Sequence, residues 1–282
     1  MVRSQPLPMF LKNVRTVFAI VLVIHTVLLR EKGEAEVIGR ARLVPGDEIN
    51  KTISYSLFGF DARYVDGSIQ NAKLIKLVYP GWKMRVYHDE TVPESALVVL
   101  GKLGVELIDM SRSSLNKMTW RFLVASDKNI QVWCSRDIDS RLSFRERKCV
   151  DLWQSTQKRV HIIRDHPSHT QVIPGGTWCG THEAVPEMEK LLIKTSINDE
   201  YGADQTFLKH VIWPRVRKRA LQHVSFGCHR FKGSTPIPVK RIGLDHVGSV
   251  FIGGKIRESD EILLHAAIQK GEECIPLSWD DE

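Results

Sequence analysis

The chain has 282 residues, 43% of them hydrophobic and 26% charged, with a net charge of +7. Those are ordinary globular proportions with ample material for a core, which excludes a disordered or low-complexity protein. The positive balance admits an anionic partner, yet no zinc-finger spacing or recognition-module signature accompanies it, so nucleic acid is not an expected partner. One basic run, Arg215, Arg217, Lys218 and Arg219, reads as a solvated helix face or a patch facing an anionic substrate or a membrane.

Residues 16–29, TVFAIVLVIHTVLL, form an uncharged apolar run flanked by Lys12, Arg15, Arg30 and Lys32. As a helix it spans roughly 21 Å, which reaches across a ~30 Å hydrocarbon core only with snorkelling flanks. The small residues Gly33 and Ala35 lie well past the run, so no signal-cleavage site follows closely. Residues 1–30 are therefore expected to be a cytosolic tail and a signal-anchor, the alternative being a cleaved signal peptide and secretion. Residues 31–49 are charged without a periodic apolar face and read as a stem, leaving 50–282 as the lumenal domain. Asn50-Lys51-Thr52 matches an Asn-x-Thr glycosylation acceptor.

Strands and helices alternate from there. Residues 51–58 read as a strand, and Asp61 starts a helix on which Val65, Ile69, Ala72, Ile75 and Tyr79 share one face until Pro80-Gly81 stops it. Residues 84–87 are a second strand, 94–102 a second helix, 105–108 a third strand and 120–126 a short helix. This order predicts an α/β domain with a mostly parallel sheet whose strand C-terminal ends collect the functional loops. Neither GxGxxG nor a Walker-type GxxxxGK[ST] occurs, so the usual dinucleotide and P-loop readings have no anchor.

At mid-chain, IQVWCSRDIDSR begins as a buried strand at Ile130 and turns polar at Ser135. If the backbone stays extended, Asp137 and Asp139 fall on one face and converge on one cation. Hard oxygen ligands suit Mg2+ or Mn2+, which keep positions open for substrate phosphates. The plain alternative pairs these carboxylates with Arg136, Arg141 or Arg145 on a solvated loop. A phosphohydrolase also uses Asp-x-Asp after a strand, but that class wants Thr or Val where this chain has Arg141.

Residues 142–157 are a predicted helix with Phe144, Cys149, Leu152 and Trp153 on its inner face and Arg145, Glu146 and Lys148 outward. Residues 160–163 are a strand leading into Arg164, Asp165, His166 and His169. A zinc site from those histidines with His161 and His182 lacks paired helical spacing and a thiolate, so they are expected to fix the loop through polar contacts. Gly175-Gly176 permits close backbone approach to a ligand, and Trp178 is a candidate for stacking on a sugar or, equally, for the core. Residues 201–213 read as one helix with Asp204 and Gln205 in its first turn, where capping is the ordinary role of an acid. The five cysteines show no CxxC and leave at least one unpaired within the chain; Cys134 and Cys149 read as small buried residues, with Cys179 free to pair with Cys228 or Cys274.

Taken together, Arg-Asp-x-Asp-Ser-Arg, Arg-Asp-His-Pro-x-His, Gly-Gly-x-Trp and Tyr-Gly-x-Asp-Gln-x-Phe-Leu, in that order, resemble a group of small GT-A-fold glycosyltransferases, distantly similar to the glycogenin and lipopolysaccharide galactosyltransferase type. The resemblance covers about residues 53–251. It implies a Golgi-resident, single-pass type II enzyme that takes a nucleoside-diphosphate sugar as donor and a glycan or glycoconjugate as acceptor, with Mn2+ or Mg2+ as cofactor. It also implies roles for individual residues: Tyr55 and Ser56 at the base, Arg121 on the donor, Asp137, Asp139 and His246 on the metal, and Gly175, Gly176, Trp178, Asp204 and Gln205 around sugar and acceptor. The chain departs from the pattern at Cys179, where Gly is expected directly after Trp178. A catalytically inactive glycan-binding member of the same group is the alternative function.

Overall fold

The computed structural model describes residues 49–276. The apolar run at 16–29 and the stem to residue 48 lie outside them, and among the described residues no helix is long and apolar enough to cross a membrane.

The first strands are β1 (Lys51–Leu57), β2 (Trp82–His88), β3 (Glu106–Asp109) and β4 (Val132–Arg136), followed by β5 (Val160–Arg164), β6 (Thr177–Thr181) and β7 (Ala220–Val224). They form one mixed sheet in the order β3-β2-β1-β4-β6-β5-β7. β1 pairs in parallel with β2 on one side and β4 on the other, while β6 runs antiparallel to both neighbours. The chain thus adds strands outward from β1 in one direction and then reverses to place β4. The C-terminal ends of β1 and β4 flank that reversal, the place where open α/β sheets bind ligands.

Period-two alternation explains both faces of the sheet. Ile53, Tyr55 and Leu57 of β1 enter a core cluster with Cys134 and Cys179, beneath α1 (Ala62–Val78) and α2 (Glu94–Lys102). Trp133 and Trp178, one residue away on their strands, enter the opposite cluster with Phe122, Ile162 and Phe207. On that second face β1 carries Ser54 and Ser56, which grip the backbone of the 3-10 helix Lys117–Ser126. The Ser54 hydroxyl donates to the Arg121 carbonyl at 2.8 Å and the Arg121 N–H donates to Ser56 Oγ at 3.0 Å.

Four expectations need correction. Residues 177–181, where no strand is expected from sequence, form the central β6, whose Cys179 lies directly opposite Cys134 and is disulfide-bonded to it; Cys228 pairs with Cys274, leaving Cys149 as the free, buried thiol. On α3 (Phe144–Gln154), Phe144 is exposed, whereas Arg145 and Glu146 are buried because Asp165 and Arg136 neutralise them. The helix expected over 201–213 divides into α5 (Ala203–Phe207), a π turn (Leu208–Ile212) and α6 (Trp213–Val216), in keeping with Pro214, which has no N–H to continue a regular ladder. At the expected glycosylation acceptor, the Asn50 side-chain amide donates to the Asn129 carbonyl and Thr52 is fully buried in β1, so the tripeptide is folded into the start of an interior strand. Beyond the expected elements lie α4 (Met188–Thr195), the hairpin β8 (Phe251–Ile252) with β9 (Lys255–Ile256), and α7 (Glu258–Gln269).

Candidate functional site

Arg121 is the hub of the site at those strand ends. Its backbone is pinned by the two β1 serines, and its guanidinium divides between two carboxylates: Nη1 donates to Asp137 at 2.7 Å and Nη2 to Asp204 at 2.9 Å. Arg121 and Asp204 are buried, while the Asp137 side chain is 41% exposed. Buried charges persist only when paired, so this bridge ties the end of β4 to the start of α5. The Arg121 Nε–H is buried without an acceptor, and the Gln205 side-chain carbonyl oxygen is buried without a donor. Buried polar atoms of this kind are rare, and here both belong to the cluster around Asp204.

Backbone closes the far side. A Cβ on Gly176 would lie 1.9 Å from an Asp137 carboxylate oxygen, and one on Gly175 would lie 2.6 Å from Gln205 Nε2 and 2.8 Å from Arg121 Nη2. At Gly176 the Cβ would also lie 2.9 Å from the Asp137 backbone nitrogen, so only glycine fits there, whereas at Gly175 the ends of Gln205, Arg121 and Asp204 would have to give way. The Gly175 carbonyl accepts from the Ser135 hydroxyl at 2.8 Å, which anchors this loop to the end of β4. The structure therefore brings together Arg121, Asp137, Gly175, Gly176, Asp204 and Gln205, residues spread over some eighty positions of sequence.

Asp139 sits beside this group, almost buried, in an ion pair with Arg63 from the first turn of α1. Burial, and behind it the Asp137 charge, raise its pKa above the ordinary carboxylate range, while Arg63 opposes that shift. The Asp-x-Asp carboxylates thus engage Arg121 and Arg63, neither of which belongs to the trio weighed from sequence. Asp204 is not a helix cap: Gly202 holds that position, and the Asp204 carboxylate accepts from Gln205 N–H at 2.9 Å and from Arg121.

Several assigned residues lie elsewhere. Tyr55 is fully buried with its phenol unpartnered, and burial drives its pKa well up, so it offers no face to a base. Ser56 acts through Arg121 rather than at an open surface. Trp178 is fully buried, edge-on to Trp133 at 4.7 Å and Phe122 at 5.8 Å, which leaves no ring face for a sugar. His246 lies tilted against His166, with ring centroids 4.4 Å apart, and 6.0 Å from His169 instead of joining the carboxylates. His161 pairs with His223 in the core at 2.7 Å, and among the described residues no group of three or more His, Cys, Asp or Glu is placed to hold a metal.

Two residues escaped the sequence reading. Phe60, in the loop leaving β1, is 83% exposed and presents the aromatic face that Tyr55 lacks. Arg63 follows Asp61, whose carboxylate caps the Arg63 N–H at 2.8 Å; the helical spacing Arg63, Gly67, Asn71 was the available signal, since that face docks on residues 138–142.

No family model matches the chain, and no curated protein does. Among solved structures it is similar to the galactosyltransferase LgtC in complex with donor and acceptor sugar analogues, at 12% identity and a TM-score of 0.48, over 82% of this chain and 99% of that one. It is also similar to a glycosyltransferase involved in glycosylation of the major capsid of PBCV-1, at 16% identity and TM-score 0.41, over 62% and 81%. A third is the mannosyltransferase PcManGT from Pyrobaculum calidifontis in complex with GDP-Man and Mn2+, at 11% identity and TM-score 0.43, over 70% and 61%. All three neighbours are glycosyltransferases, and at this level the likeness is one of chain path.

Proposed function

We propose that the chain is a metal-dependent glycosyltransferase that moves a sugar from a nucleoside-diphosphate sugar to a glycan or glycoconjugate acceptor. The observation that carries this reading is the convergence of Arg121, Asp137, Asp204 and the Gly175-Gly176 backbone at the strand-order reversal between β1 and β4. That place suits a nucleotide, and its polar groups suit a diphosphate and a hydroxylated ring.

The donor set fits a hard divalent cation. Asp137 and Asp139 supply two carboxylates just past β4, and Mg2+ or Mn2+ commonly takes one or two carboxylates and completes its shell with substrate phosphate and water. Bound there, such a cation supplies Lewis-acid stabilisation to the departing diphosphate. The residues do the rest. Arg121 places a fixed positive charge where negative charge grows, pre-aimed by the β1 serines so that nothing reorganises during reaction. Asp204, buried at the opposite end of the same guanidinium, sets a negative group facing the sugar side, suited to holding an acceptor hydroxyl or offsetting positive charge at the anomeric carbon. Gln205 orients that carboxylate through its own N–H donors.

The two disulfides support folding in an oxidising compartment. With the apolar run at 16–29, they favour a Golgi membrane protein with a short cytosolic tail, a signal-anchor, a stem to about residue 49 and a lumenal transferase domain.

The test is release of nucleoside diphosphate when the full chain is incubated with a panel of nucleotide sugars and Mn2+. One donor should be turned over, chelation should stop it, and Asp139→Ala should reduce it by about two orders of magnitude or more. Turnover that survives both chelation and Asp139→Ala would contradict the metal-dependent reading.

A further inference from the structure

Arg63 occupies the carboxylate that a cation would need. We propose that Arg63 is a stand-in: it neutralises Asp139 when the site is free, and moves to the diphosphate oxygens when a divalent cation and nucleotide arrive together. This rests on the metal and nucleotide reading of the site above.

The placement is built from α1. Asp61 caps the helix and fixes its first turn, putting Arg63, Gly67 and Asn71 on one face. Gly67 lets that face come close: a Cβ there would meet the Ile138 carbonyl oxygen at 2.4 Å. Asn71 then holds the same loop, donating to the carbonyls of Ile138 at 3.2 Å and Ser140 at 2.8 Å and accepting from Leu142 N–H. With helix and loop locked together, Arg63 reaches Asp139 from a side chain that is still 29% exposed. It is therefore in contact with the carboxylate while part of the side chain reaches solvent.

Two further observations point to an anion as its second partner. The Nε–H of Arg63 is buried and has no acceptor, and so is that of Arg121. Arg63 and Arg121 thus each keep an unmet donor beside the Asp-x-Asp carboxylates they pair with, and phosphate oxygens are the geometry guanidinium forks match best. Charge balance says the same. Asp137, Asp139 and Asp204 are offset by Arg63, Arg121 and Arg141, the last lying within electrostatic reach of Asp139. A divalent cation with a nucleotide sugar carrying one negative charge on each phosphate adds no net charge. Transfer of Arg63 from carboxylate to diphosphate then leaves every charge paired, whereas a cation arriving alone must displace Arg63 without offering it a new partner. Metal and nucleotide are thereby coupled, and the coupling is reciprocal.

The experiment measures Mn2+ binding to the full chain from the EPR signal of the free ion, with and without UDP, GDP, CDP or ADP, for wild type, Arg63→Met and Arg63→Lys. Arg63→Met should bind Mn2+ alone about tenfold more tightly than wild type and should bind the preferred diphosphate in excess Mn2+ about tenfold more weakly. Arg63→Lys, which keeps the charge and loses the fork, should stay near wild type for Mn2+ alone. Equal or weaker Mn2+ binding by an Arg63→Met protein of unchanged melting temperature overturns the role of Arg63 and leaves the metal site standing. Absence of Mn2+ binding in wild type and Arg63→Met alike, with every nucleotide, overturns the metal reading and this proposal with it.

Discussion

At Gly176 a single methyl group would fall inside the Asp137 carboxylate, so Gly176→Ala must push that side chain off Arg121. We expect turnover to fall at least about tenfold with little change in melting temperature, because misplacement rather than unfolding is the defect. Asp204→Asn keeps the size of the side chain and removes its charge. Turnover should drop by about two to three orders of magnitude with donor affinity largely preserved, and near wild-type turnover in a folded protein would confine Asp204 to holding Arg121. Phe60→Ala tests whether the exposed ring after β1 receives the nucleobase. Diphosphate binding measured by calorimetry should weaken by about tenfold or more, given what base stacking on an aromatic side chain contributes, and an unchanged affinity would remove Phe60 from the site.

The elements explain how much of this was legible. Glu94–Lys102 was readable to the residue because Pro93 and Gly104 bracket an apolar-periodic run, and the strands carrying Ile53 and Val86 were readable because Ile53, Tyr55 and Leu57, and Met84 and Val86, recur at a period of two. β6 was not. Thr177–Thr181 carries Trp178 and Cys179 between glycines, a composition of loops, and only its pairing between β4 and β5 makes it a strand. The site divides in the same way. Asp137, Asp204 and the glycine pair stand in recognisable local patterns, whereas Tyr55, Trp178 and His246 were misassigned because burial is set by packing that spacing does not reveal. The docking of α1 on the Asp-x-Asp loop is likewise a tertiary property. It predicts that Asn71→Ala, which strips three hydrogen bonds from that loop, costs about 1–3 kcal/mol in denaturant unfolding; a loss near zero would show that the loop does not depend on α1.

For the whole molecule, the buried histidines make stability depend on pH. Burial holds His223 down to about 4 and also lowers His161, so the folded protein refuses protons that the unfolded chain binds below about 6.5. The contribution is complete above the unfolded value and is lost as pH falls from about 6.5 toward 4. Melting temperature should therefore fall between pH 7 and pH 5, and a flat profile there would contradict the neutral, hydrogen-bonded His161–His223 pair. The disulfide pattern is checked by alkylation of the denatured, unreduced protein, which should label Cys149 alone; labelling of Cys134 or Cys179 would remove the covalent tie between β4 and β6.

The central claim is that Asp137 and Asp139, past the end of β4, complete a cation-dependent nucleotide site with Arg121. Thermal melting of wild type and Asp139→Ala, each with nucleoside diphosphates in the presence and absence of Mn2+, tests it most directly. At least one diphosphate should raise the wild-type melting temperature only when Mn2+ is present, and Asp139→Ala should abolish the rise. A shift of equal size in Asp139→Ala, or in wild type without the metal, would contradict it.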